Sequence, residues 1–115
     1  GNRCVLVASE PFPLIATDFY QILETSDLPA GVVNVLTGPH NDLVGPIAGH
    51  LNLDAVWSFS SSDLSAKIEA ASAGNLKRTW VNNRQACDWF DPTNEGRHFL
   101  AAATEVKTIW VPYGE

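Results

Sequence analysis

Chemistry in a chain of this size has to start from thiols, imidazoles and carboxylates, and here they are few and scattered. Cys4 and Cys87 are the two cysteines, and His40, His50 and His98 the three histidines. The histidines lie far apart with no short-range pair, so none of the spacings that hold a metal occurs. Cys4 sits inside an apolar, strand-like run with no signal peptide ahead of it, which favours free thiols in a reducing, cytoplasmic setting over a disulfide. Glu10 follows that run and precedes Pro11 and Pro13, where a solvated carboxylate ahead of a helix is the plain reading. Ser62, with Asp63 behind it, reads as the N-cap of a helix. Gly38 and Pro39 read as a turn.

The elements that must position these residues belong to a globular chain. The sequence has 115 residues, 45% hydrophobic and 17% charged, enough for one core without staples. No apolar run approaches the ~18 residues that a membrane helix needs, so no membrane span is expected. Seven basic side chains against 13 acidic ones leave a net charge of −6, which repels polyanions; nucleic acid is not an expected partner.

Strand and helix patterns alternate. RCVLVAS at 3–9 is a nearly continuous apolar run, as in a parallel strand covered on both faces. Ile15, Phe19, Ile22 and Leu23 then fall on one helical stripe that stops before Pro29 and Gly31. GVVNVLTG at 31–38 is a second strand. Asn41 or Asp42 caps a short helix carrying Leu43, Ile47 and Leu51, which Pro46 delays or kinks. Residues 55–59 form a third strand, Leu64, Ile68 and Ala71 mark a third helix ending at Gly74, and residues 77–82 a fourth strand. Asp91-Pro92-Thr93 opens a last helix with Phe99, Leu100 and Ala103, and residues 106–111 form a last strand. The alternation predicts an α/β, doubly wound (Rossmann-like), mainly parallel sheet of about five strands, with any ligand beyond the strands' carboxyl ends. Of the four tryptophans, Trp57, Trp80 and Trp110 fall on or next to these strands, where core or interface packing is the default.

Five segments occur together in one order: GNRCVLVASE at 1–10, LPAGVVNVLTG at 28–38, LDAV at 53–56, AASAGNLKR at 70–78 and TEVKTIWV at 104–111. In that order they resemble the aldehyde dehydrogenase superfamily, its cofactor half followed by its C-terminal arm. In the family a catalytic domain with the nucleophilic cysteine lies between the GNLKR segment and the arm; here GNLKRTWVNNR at 74–84 and FLAAATEVKTIWV at 99–111 are separated by about fifteen residues, too few for a domain. The gap and the closing VPYGE resemble the two-copy members, in which a truncated unit follows a complete one. The chain is accordingly expected to be cut from something larger.

The resemblance implies roles residue by residue. The family's K-P-S-E, whose lysine and glutamate hold ribose hydroxyls of the cofactor, is Val7-Ala8-Ser9-Glu10 here, so Glu10 alone remains. The phosphate loop G-S-T-x-x-G becomes Ser60-Ser61-Ser62-Asp63-Leu64-Ser65, which keeps the hydroxyls of Ser61 and Ser62 but has serine at both glycine positions. Gly38 matches the turn on the adenine side. The resemblance thus implies Glu10, Gly38, Ser61 and Ser62 as a vestigial cofactor site. The general-base glutamate of E-L-G-G is Asn82, which takes no proton at neutral pH. Cys87 faintly echoes the family's G-Q-x-C, without the oxyanion donors a nucleophile needs.

The resulting expectation is a non-catalytic structural or oligomerisation domain of an NAD(P)-dependent aldehyde dehydrogenase. Residues 1–98 form the vestigial NAD-binding-like domain and 99–115 the arm, whose strand pairs with a parent-chain unit or a second copy. No cofactor is expected in this chain, NAD(P) being the parent family's, and the chain alone is expected to be inactive. The alternative is the cofactor-binding half of an active oxidoreductase whose catalytic segments are missing here. Trp89 and Phe90 are expected to cover the surface that the catalytic domain leaves bare.

Overall fold

Strand and helix do alternate in the computed structural model, which describes residues 1–82 and 87–114. The chain divides into two compact units, Gly1–Gln85 and Ala86–Glu115. The first runs β1 (Cys4–Val7), α1 (Ile15–Glu24), β2 (Val33–Leu36), α2 (His40–Gly49), β3 (Ala55–Ser58), α3 (Ser62–Ser72) and β4 (Arg78–Val81). In the second, a 3-10 turn at Pro92–Asn94 precedes α4 (Arg97–Ala103).

Both strand pairings are parallel, as the interleaved helices require. β1 pairs with β2, Val5 opposite Asn34 and Leu6 opposite Val35, and β3 pairs with β4, Trp57 opposite Trp80. The expected single sheet of about five strands is not what forms among the described residues. Four strands make two separate two-stranded sheets, and no ladder joins β1 to β3. Residues 106–111, expected as a fifth strand, have no regular secondary structure, and Val106, Ile109, Trp110 and Val111 stand exposed. A strand exists only through a partner's backbone groups, and residues 106–111 are in no described ladder.

The core lies between β3–β4 and the helices on one of its faces. Alternation along β3 sends Val56 towards α2 and α3, where it meets Ala48 and Ile68, with Val44, Ile47 and Val81 packed around them. On the opposite face Trp57 and Trp80 meet edge to face, centroids 5.1 Å apart, and Phe59 approaches Trp80 at 5.6 Å. The stripe on α1 behaves otherwise. Ala16 is the buried residue of that helix, while Ile15 and Ile22 are 64% and 63% exposed. A helical stripe buries only where another surface meets it, and here the meeting is partial: Leu23 is half-buried and Phe19 37% exposed, while Ile15 and Ile22 face outward. For the same reason β1, expected to be covered on both faces, leaves Val5 and Leu6 exposed.

Turn chemistry explains several boundaries. Pro29 to Val32 closes a turn whose Gly31 has φ +80°, a conformation that favours glycine, and the chain enters β2 directly. Helix α2 begins at His40, ahead of Asn41 and Asp42, and carries Pro46 inside it, where one backbone hydrogen bond is lost. The α3 cap is Ser61 rather than Ser62, its Oγ accepting the Leu64 N–H at 3.3 Å. Asp91 caps the 3-10 turn instead of a helix, and α4 starts only after Gly96, whose φ of +89° breaks the run.

The GNLKR segment is structural throughout. Asn75 donates to the Ala48 carbonyl at 3.2 Å, and the Lys77 ammonium donates to the carbonyls of His50 and Leu53. Lys77 is 8% exposed and so places a buried cation on the carboxyl end of α2, where the helix dipole favours it. Between them Leu76 takes a left-handed conformation at φ +55° and points into solvent.

Candidate functional site

An open cleft of about 560 Å³ lies at the carboxyl ends of β1 and β3. Ser9, Glu10 and Pro11 line it from β1, His40 from the start of α2, and Phe59, Ser60, Ser61 and Leu64 from the turn into α3. Parallel strands deliver the amino ends of their following helices to this position, so polar backbone and ligand-sized space coincide there.

The cleft's polar groups are largely engaged by the chain itself. The His40 N–H donates to Glu10 Oε2 at 3.2 Å, and His40 Nε2 donates to the Ala8 carbonyl at 2.8 Å. A carbonyl can only accept, so Nε2 is the ring nitrogen that carries the proton in this contact. Ser60 and Ser58 share a hydroxyl hydrogen bond of 2.6 Å. The Ser61 carbonyl accepts both the N–H and the hydroxyl of Ser65, each at 3.0 Å. Ser65 is fully buried, so where the family pattern has a glycine a hydroxymethyl group fills the space under the α3 turn.

Electrostatics follow the same arrangement. Glu10 sits on the first N–H of α2, Asp42 lies in the first turn of that helix and Asp63 in the first turn of α3. Carboxylates complement the positive helix ends and offset the field that would draw a phosphate. The cleft thus presents hydroxyl, imidazole and carboxylate groups for hydrogen bonding, and no thiol is among its lining residues.

Of the residues singled out in the sequence, Glu10 and Ser61 line the cleft, whereas Gly38 and Ser62 are not among its lining residues. Gly38 is half-buried at the turn into α2, where an added Cβ would meet Leu43 Cδ1 at 3.5 Å. Asn82 closes β4, its N–H donating to the Ser58 carbonyl at 3.1 Å, and belongs to the first unit. Cys87 belongs to the second unit and is half-buried, with its thiol free; most of the echo that precedes it, at 83–86, lies outside the described residues. Within the second unit Trp89 packs on Phe99 at 6.2 Å, and Phe90 is 96% exposed. The described residues contain no group of three or more potential metal ligands, and none of their helices is long and apolar enough to cross a membrane.

His40 is the residue that sequence reasoning missed. Its partners lie 30 and 32 positions away, and the only local signal is its place directly after Gly38-Pro39.

Comparison with known proteins is consistent throughout the first unit. A model described as the aldehyde dehydrogenase family matches residues 1–83. Cytosolic aldehyde dehydrogenase 1 of Mus musculus is 36% identical over 79 residues, which are 68% of this chain and 16% of that protein. The NADP/NAD-dependent aldehyde dehydrogenase PuuC of Escherichia coli is 32% identical over 83 residues, 70% of this chain and 17% of that one. The crystal structure of an aldehyde dehydrogenase from Bartonella henselae superposes with a TM-score of 0.65 at 29% identity, covering 69% of this chain and 17% of its own. The chain therefore spans about a sixth of the length of the relatives it matches.

Proposed function

Since the chain belongs to the aldehyde dehydrogenase family, we propose that it serves as a non-catalytic structural and oligomerisation module of an NAD(P)-dependent aldehyde dehydrogenase, the truncated second copy of a two-copy member. The observation that carries this reading is Asn82. It follows β4 at the position where the resemblance implies the general-base glutamate, and an amide abstracts no proton. The internally bonded serines and the filled position of Ser65 support it from the cofactor side.

Assembly in this reading runs through 104–111. An apolar segment outside any described strand, with Ile109, Trp110 and Val111 exposed, is a template for backbone pairing, and its partner is a complete unit of the parent or a second copy. Within that assembly the two two-stranded sheets become parts of one doubly wound sheet, and the setting is cytoplasmic. The parent uses NAD(P); this chain retains at most weak nucleotide affinity through Glu10, Gly38, Ser61 and Ser62.

Two measurements test the reading. Purified chain given NAD and an aldehyde is expected to produce no NADH; steady production abolished by Cys87→Ser overturns it. Removal of 105–115 is expected to abolish self-association or association with the parent unit, and a stable monomer before and after truncation rules out the arm. The cleft at the strand ends favours a second reading, the cofactor-binding half of an active enzyme whose catalytic segments lie outside this chain. Micromolar NAD binding by calorimetry decides for it, since the first reading expects affinity weaker than about millimolar, above roughly −4 kcal/mol.

A further inference from the structure

We infer that His40 is a positioning residue, a two-point brace that joins the β1–α1–β2 half of the first unit to the α2–β3–α3–β4 half and thereby sets the shape of the cleft. No ladder joins β1 to β3 among the described residues, so backbone pairing does not hold these halves together. His40 contributes instead from both its main chain and its ring. Its N–H donates to Glu10 Oε2, and its Nε2 donates to the Ala8 carbonyl at 2.8 Å. The two acceptors flank Ser9, so the end of β1 is gripped at two points by one residue.

Glu10 completes the device by capping a helix that has no cap of its own. The residue before α2 is Pro39, which has no side-chain oxygen to accept the first N–H groups. Glu10 supplies that acceptor from 30 residues away, and the negative charge suits the positive helix end. Its carboxylate is thus committed to α2 independently of any nucleotide, and the brace stands whether or not the chain binds a cofactor.

The ring contact can be tested by reach. Glutamine places its amide Nε2 about where the imidazole carries its own, whereas asparagine reproduces only the nearer nitrogen. In the full chain, amide hydrogen exchange at residues 8–10 and 40–43 is expected to accelerate by roughly tenfold in His40→Ala and His40→Asn, while 64–72 and 78–81 keep their protection. His40→Gln is expected to restore the original rates. Glu10→Ala is expected to speed exchange at 40–43, and Glu10→Gln, which keeps an acceptor oxygen, to have little effect. Equal acceleration throughout the unit makes His40 merely a stabilising residue and overturns the brace, as does unchanged exchange in His40→Ala. Failure of His40→Gln to rescue overturns the ring contact. None of these readouts uses nucleotide or enzyme activity, so they stand apart from the tests of the proposed function.

Discussion

Residues 1–38 and 39–82 use the same vocabulary of parallel strand and amphipathic helix, yet it is the second half that gathers side chains as large as Val56 and Ile68 into a buried cluster. In the second half Val56 and Ile68 are 8% and 4% exposed, because α2 and α3 pack on each other and close over one face of β3–β4. In the first, Ala8 and Ala16 are the buried apolar residues, and Phe12, Leu14, Ile15 and Ile22 are each more than half exposed. The difference teaches that local pattern makes the elements, whereas burial needs a layer on both sides. The second half carries its layer with it.

The comparison can be broken by truncating matched side chains. Ile68→Ala is expected to cost about 2–4 kcal/mol in denaturant unfolding, from lost transfer energy and a residual cavity. Ile22→Ala, a deletion of the same size on α1, is expected to stay within about 0.5 kcal/mol. Equal losses would show that α1 is as well packed as α3. Lys77→Met comes next, at about 1–3 kcal/mol, because it keeps the buried stem but leaves the His50 and Leu53 carbonyls without their donor. An unchanged midpoint would mean that water replaces the ammonium at no cost.

Smaller effects sharpen the picture. Leu76→Gly is expected to raise stability by about 0.5–1 kcal/mol, since a left-handed residue that touches little gains from losing its Cβ. Ser72→Ala is expected to be neutral or stabilising by less than about 1 kcal/mol, because the buried Ser72 hydroxyl has no hydrogen-bond partner. A loss on thermal unfolding would point to a bond that the geometry lacks. The slightest change lies in the second unit. The Thr93 N–H and then its hydroxyl donate to Asp91 and hold that carboxyl below its ordinary value. Its contribution is therefore complete above the usual carboxylate range and lost as pH falls through the lowered value. Asp91→Asn is expected to abolish an acid-induced shift of the Thr93 amide resonance while leaving 39–82 unaffected.

Much of this was legible in the sequence, for reasons that particular residues make plain. Gly74 marks the end of α3 closely and the apolar runs place four strands to within a few residues, because both signals are local, whereas α1 stops at Glu24, well ahead of Pro29 and Gly31. The Ser61 cap was displaced by one position, since four serines between 58 and 62 offer equivalent hydroxyls and only the fold selects among them. The start of α2 was misplaced for a different reason. Its capping carboxylate comes from Glu10, and no window along the chain contains both. The strand expected at 106–111 shows the same limit, because alternation describes a side-chain pattern and cannot supply the neighbouring backbone. In the sequence Glu10 reads as a ligand acceptor or a solvated carboxylate, while its use as a helix cap arises only when β1 and α2 meet.

The sequestered ammonium of Lys77 also makes the fold readable by acylation chemistry. Lys67 and Lys107 are exposed, whereas Lys77 is buried with its Nζ held by two carbonyls. An amine-reactive reagent should therefore label the first two promptly and the third only when the carboxyl end of α2 lets go. The fraction of molecules tagged at Lys77, read by mass spectrometry of its peptide against time, becomes a clock for the opening of that joint, built into the chain without any substitution.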